Sequence, residues 1–143
     1  MTDAELRATR EAKLAAHMDG ETNMDAEAVL ATMADPATYE LVSIGRTLRG
    51  RDEIVPFLNL MFGALPGIVH RAVRFHHTPD AVIVESETDF PNGLDGSTPG
   101  QVVTVPAIAV FPFDGEVSLG ERLYADMGPL EPYLPSAGAE TSA

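Results

Sequence analysis

The stretch Gly45-Arg46-Thr47-Leu48-Arg49-Gly50-Arg51-Asp52-Glu53-Ile54 decides the fold class. Gly45-Arg46 makes a turn and Thr47-Leu48-Arg49 a brief strand. Gly50-Arg51-Asp52-Glu53 then opens a helix with its acids at the positive end of the helix dipole. Ile54, Phe57, Leu58, Met61 and Phe62 follow as one apolar stripe of that helix. Pro56 fits only if it lies within the first turn, where its missing N–H is not needed. The brief strand needs a partner, and the β-formers just before it, Thr38-Tyr39-Glu40-Leu41-Val42-Ser43-Ile44, supply one as a small hairpin.

Toward the amino terminus the pattern is helical. Thr2 with Glu5 forms a capping box, and Leu6, Leu14 and Met18 recur near helical spacing, which predicts a first helix over about residues 3 to 19. Ala26, Val29, Leu30 and Met33 predict a second, short helix over about 24 to 34, stopped by Asp35-Pro36. Toward the carboxyl terminus the chain becomes extended, over about 68 to 78, 81 to 90, 101 to 113 and 116 to 127, with turn residues at each junction. Pro106 and Pro112 within the third segment predict bulges or an edge. The plan is therefore α+β, a curved antiparallel sheet packed against three N-terminal helices. Residues 1–135 read as a single domain, and the small, polar stretch 136–143 as a disordered tail.

Composition removes several classes of function. Nine Lys+Arg against 22 Asp+Glu give a formal charge of −13, which repels a phosphate backbone and an anionic membrane and favours a small neutral, apolar or cationic ligand. With no cysteine there is no disulfide framework and no thiolate nucleophile. The start Met1-Thr2-Asp3-Ala4-Glu5-Leu6-Arg7 lacks the order of a signal peptide, so a cytoplasmic location is expected. No G-x-S-x-G, P-loop or G-x-G-x-x-G motif occurs, and no cofactor is expected.

Four stretches together carry a family resemblance: Ala26-Glu27-Ala28-Val29-Leu30-Ala31-Thr32-Met33-Ala34-Asp35; Gly45 to Ile54 as quoted above; Asp80-Ala81-Val82-Ile83-Val84-Glu85; and Asp114-Gly115-Glu116-Val117 leading to Glu121-Arg122-Leu123-Tyr124-Ala125-Asp126. In order and spacing they resemble the nuclear transport factor 2-like superfamily and, within it, the SnoaL-like polyketide cyclase branch. The resemblance implies a cone-shaped cystatin-like roll closing round a pocket. Its members include isomerases, dehydratases, aldol-type cyclases, epoxide hydrolases and proteins that only bind or assemble, so the fold does not name the function.

Candidate site residues follow from strand periodicity. Arg122, Tyr124 and Asp126 are expected on one face of the last strand, with Leu119, Leu123, Ala125 and Met127 on the other. In SnoaL-like cyclases an aspartate near the end of this strand looks like the match to Asp126 and implies general acid/base chemistry, with Tyr124 donating to an enolate oxygen. His70, Arg74 and His76 are expected on one face of the first long strand, so that His70 or His76 can partner Asp126. Their alternative is an ordinary hydrogen-bonded histidine, and that of Arg122 with Asp126 a solvated ion pair. His76 and His77 point to opposite faces and cannot easily chelate one ion, so no metal site is expected.

Glu85, Glu87 and Asp89 form an acidic ladder that meets arginines of a neighbouring strand or, less often, builds a carboxylate pair. Superfamily epoxide hydrolases carry Arg-x-Asp on a middle strand, where this chain has Glu87-Thr88-Asp89. Tyr39, Phe62 and Phe111, with Met61, Phe75, Phe90 and Phe113, are expected to wall an apolar pocket that Arg122 and Asp89 help to bind substrate in. The expected function is a cofactor-independent isomerase, aldol-type cyclase or dehydratase acting on a small hydrophobic molecule. A non-catalytic binding or homodimerising module is the alternative, and epoxide hydrolysis a second. A homodimer paired through the outer sheet face is expected with either.

Overall fold

A computed structural model of the chain describes residues 1–126. Three helices come first in sequence: α1 (Asp3–Thr22), α2 (Ala26–Leu30) and α3 (Gly50–Ala64). Between α2 and α3 lie the strands β1 (Thr38–Leu41) and β2 (Arg46–Arg49), joined by a 3₁₀ turn and by Gly45 in the left-handed region. Four further extended elements and one short one follow: β3 (Val69–His77), β4 (Ala81–Phe90), β5 (Val103–Asp114), β6 (Val117–Ser118) and β7 (Gly120–Tyr124). The tail over 136–143 and the expected placement of Met127 lie outside the described residues.

The predicted capping box is present. Thr2 Oγ1 accepts from the Glu5 N–H at 3.1 Å while the Thr2 N–H donates to Glu5 Oε2 at 2.7 Å, and the helix runs on to Thr22. The second helix is shorter than its apolar stripe suggests: Asp25 caps it and it unwinds at Ala31. Pro56 lies in the second turn of α3, beyond the place sequence rules allow it. It is exposed, so water can take up the Asp52 carbonyl that loses its intrahelical donor.

The seven strands form a mixed sheet in the order β2-β1-β7-β5-β4-β3, with β6 on β5. All pairings but one are antiparallel. The exception is β1 with β7, which run parallel and set Tyr39 beside Glu121. Pro106 and Pro112 lie outside the β7 register of β5, which covers Ile108, Ala109 and Val110, so the missing N–H groups cost that pairing nothing. The bulge occurs instead in β3, where Val73 is an extra residue between Ala72 and Arg74.

Two apolar clusters fill the concave side. One gathers Val29, Leu41, Leu48, Ile54, Phe57 and Leu58 between α2, α3 and the hairpin; the other packs Leu14 of α1 against Val82, Val84, Phe111 and Phe113. Leu123 touches both. Each fully buried side chain of this size contributes about 1.5–3 kcal/mol.

Arg10, only 3% exposed, fastens α1 to two turns of the sheet. Its Nε donates to the Gly115 carbonyl at 2.9 Å, Nη2 to Pro79 at 3.1 Å and Nη1 to Thr78 at 3.3 Å, with Cζ 5.0 Å from the centre of the Phe113 ring. Hydrogen bonds from a charged donor are worth more than neutral ones, and Arg10→Met strands these carbonyls without a donor. Chemical denaturation should show a loss of about 2 kcal/mol. No helix among the described residues is long and apolar enough to cross a membrane.

Candidate functional site

Where the two apolar clusters meet, the cone keeps a cavity of about 70 Å³. A single water needs roughly 10–15 Å³ by the same measure, so the space admits a small organic molecule. Met61, Ile68, Phe90, Phe111 and Leu123 wall it, and its polar lining groups include Glu21, Tyr39, His70, Thr88, Glu121 and Asp126.

The deepest polar feature is a group absent from the sequence-based expectations. His17 of α1 is 1% exposed, and its Nε2 lies 2.8 Å from Glu21 Oε1 and 3.0 Å from Glu121 Oε1. On its other side, Nδ1 is 3.1 Å from Thr32 Oγ1. The Thr32 hydroxyl already donates to the Val29 carbonyl at 2.7 Å, so it offers His17 only a lone pair, and Nδ1 carries the proton. His70 extends the chain of contacts, with Nε2 3.1 Å from Glu21 Oε2 and Nδ1 2.9 Å from Thr88 Oγ1. The His17 ring meets Phe111 edge-on, with centroids 5.3 Å apart.

Burial and charge act against each other here. Burial alone would lower the His17 pKa, but its contacts with Glu121 and Glu21 outweigh that and push it up to about 10. Burial would raise Glu21, yet His70 and His17 hold it down at about 2. Glu121 goes the other way: burial raises its carboxyl above the ordinary range, and His17 offsets only part of that. Tyr39 is raised by burial and by the neighbouring Glu121 and Glu21 charges, so its phenol keeps its proton as a donor. Among the described residues, His17, Glu21 and Glu121 are the group whose donor atoms all lie within 4.8 Å of one another.

The expected site residues divide between two faces. His70, Tyr39, Phe111 and Asp126 line the cavity. Tyr124 does not: it is 46% exposed and shares a shallow outer depression with Val73, Glu85 and Ile108. His76 is also on the outside, its Nε2 2.7 Å from Glu85 Oε2. The extra residue Val73 shifts the alternation of β3, so that His70 faces in while Arg74 and His76 face out. Asp89 pairs with Arg71 and Thr104 on the outer side, where Arg71 holds its carboxyl below the usual range. Thr88, between Glu87 and Asp89, is the member of that triplet that reaches the cavity. Phe62 is buried in the helical cluster, and Arg122 is half-buried; neither lines the cavity.

Asp126 and Tyr124 part company because β7 ends at Tyr124. The chain bends at Ala125, whose carbonyl accepts from Ser43 Oγ, and beyond the bend the two-residue alternation no longer holds. The signals for the missed groups were present in the sequence. Glu121 is the acid within the apolar series Leu119, Leu123, Ala125, and His17 follows Leu14 by three residues on the buried stripe of α1.

Solved structures share this architecture. One is a protein with a ketosteroid isomerase-like fold from Catenulispora acidiphila, solved with trimethylamine, at TM-score 0.70 and 19% identity over 86% of this chain and 93% of that one. Another, described as a candidate SnoaL-like polyketide cyclase from Jannaschia sp. CCS1, has TM-score 0.69 and 16% identity over 90% and 94%. An NTF2-like protein from Anabaena variabilis has TM-score 0.69 and 14% identity over 87% and 93%. At these identities the likeness is one of fold. No curated protein sequence matches the chain significantly. The model of the SnoaL-like domain matches residues 14–118, which include α3, the bulged β3, the buried His17 and the cavity-lining Glu21 and His70. On that match the chain belongs to the SnoaL-like domain family.

Proposed function

We propose that the chain is an enzyme that moves a proton on a small, largely apolar molecule bearing a carbonyl or hydroxyl oxygen, as isomerases, aldol-type cyclases and dehydratases do. The observation that supports this is the cavity's lining: aliphatic and aromatic walls together with ionisable and hydroxyl side chains. Such a cavity orients a molecule by burying its apolar body and presenting its oxygen to Tyr39. Asp126, at the margin, takes a proton from the carbon next to a carbonyl. The C–H electron pair becomes the C=C bond of an enolate as the C=O π pair moves onto oxygen, which the Tyr39 hydroxyl stabilises by donating to it; reprotonation by Asp126 at a second position restores the carbonyl. The candidate polyketide cyclase among the structural relatives is consistent with carbonyl substrates.

A thermal-shift screen of hydrophobic ketones, lactones and steroids should find ligands that stabilise the chain, since a ligand that binds the folded state raises its stability by mass action. For a compound that is turned over, Asp126→Asn should lower kcat about 100-fold and Tyr39→Phe about tenfold, in the range of a lost general base and a lost oxygen donor. Unchanged turnover in Asp126→Asn would take the proton-transfer role away from this residue.

A further inference from the structure

We propose that His17, Glu21 and Glu121 form a site for one divalent first-row transition-metal ion, with its remaining coordination positions open to the cavity. His17 Nε2 and Glu121 Oε1 are buried and have no aligned hydrogen bond, although a carboxylate oxygen lies 2.8 Å and 3.0 Å from that nitrogen. Nε2 thus stands within ion-pair distance of both carboxylates and is aligned with neither. Buried polar atoms left in this way are rare and ask for a partner.

An ion placed among these atoms meets that need. Ligands about 2.1 Å from a metal and at right angles to one another stand about 3.0 Å apart, the separation of this nitrogen from its oxygens. One imidazole and two carboxylates suit zinc, iron(II), manganese(II) or cobalt(II), and they balance a charge of +2. The outer partners have the form that metal-binding histidines use. Thr32 accepts from Nδ1 of His17, so that Nε2 becomes the ligating atom once the ion displaces its proton, while His70 Nε2 stands 3.1 Å from the far oxygen of Glu21. Glu21 and Glu121 line the cavity, so an ion between them is reached from it and offers Lewis-acid chemistry to a bound oxygen. The ligands come from α1 and β7, not from the His76–His77 pair of β3. The site is independent of the role proposed for Asp126: it takes metal whether or not that residue moves a proton.

Calorimetric titration of the chelator-treated full chain with zinc(II), and separately with manganese(II), tests this. One equivalent of at least one of these ions should bind with Kd at or below about 10 μM. Glu121→Gln should weaken binding at least tenfold. Thr32→Val, which touches only the outer nitrogen of His17, should weaken it about 10- to 100-fold. A His76→Gln, His77→Gln double variant should bind like the parent. Where Glu121→Gln fails to fold by circular dichroism, the parent stoichiometry and Thr32→Val decide. Absence of saturable binding of either ion at 1 mM, binding abolished by the His76/His77 double variant, or unchanged affinity in Thr32→Val overturns the site.

Discussion

Gly120→Ala should destabilise the chain by about 4 kcal/mol, one of the largest losses a single methyl group can cause here. At Gly120 the backbone φ is +138°, a conformation L side chains rarely adopt. A Cβ added there would lie 1.9 Å from the Thr38 carbonyl oxygen and 2.8 Å from the Thr38 nitrogen. Those atoms belong to the first register position of the parallel β1–β7 pairing, so the clash is with backbone and no side chain can rotate away. Relief requires β7 to move off β1, and Glu121 is the next residue. Urea denaturation should show the loss directly, with a fall in Tm of roughly 10 °C for a domain of this size. Gly115→Ala is the control. Gly115 also has positive φ, +58°, but nothing lies within 4 Å of its added Cβ, so only the local conformational cost of about 1 kcal/mol applies. Equal losses in the two variants would show that close approach to Thr38 is not what selects glycine at position 120.

His17→Leu should cost about 3–5 kcal/mol when measured with chelator present. The replacement fills the volume but leaves Glu21 and Glu121 side by side with their shared imidazole gone. Glu21 retains His70 at 3.1 Å, and Glu121 is left as a buried acid with only the weaker influence of His70. The informative comparison is the pair His17→Leu, Glu121→Leu, which exchanges both buried partners for aliphatic groups. It should recover most of the loss, because a buried pair replaced whole is close to neutral whereas one broken in half is not. A strictly additive double variant would mean that the two side chains do not interact, and the electrostatic description of the cavity floor would fall with that result.

Most elements were legible in the sequence because they depend on local chemistry. The Thr2–Glu5 cap, the stripe from Ile54 to Phe62, the turn at Gly45 and the glycine- and proline-rich junctions each act over a few residues, and each element appears within a few residues of its expected place. The SnoaL-like resemblance rested on the same short stretches in order, and the domain match confirms it. Faces were less legible. Strand alternation is a counting rule, and one inserted residue reverses everything after it. Val73 does this in β3 and separates His70 from His76; the bend at Ala125 does it beyond β7 and separates Tyr124 from Asp126. His17 and Glu121 were hidden for another reason. The local pattern marks each as a polar residue on an apolar face, but their meeting depends on a long-range parallel pairing that no local pattern announces.

That parallel pairing also sets an order of events. Tyr39 and Glu121 are register partners although most of the chain separates them, and β7 must slot between β1 and β5 before the cavity has a floor. Contacts so distant along the chain are entropically expensive and form late, after the local hairpin and helices. A chain in which β7 has not yet docked therefore holds the first hairpin without the strand that joins it to the meander. The cavity is complete only when β7 has taken its place, in the same step that joins the two halves of the sheet.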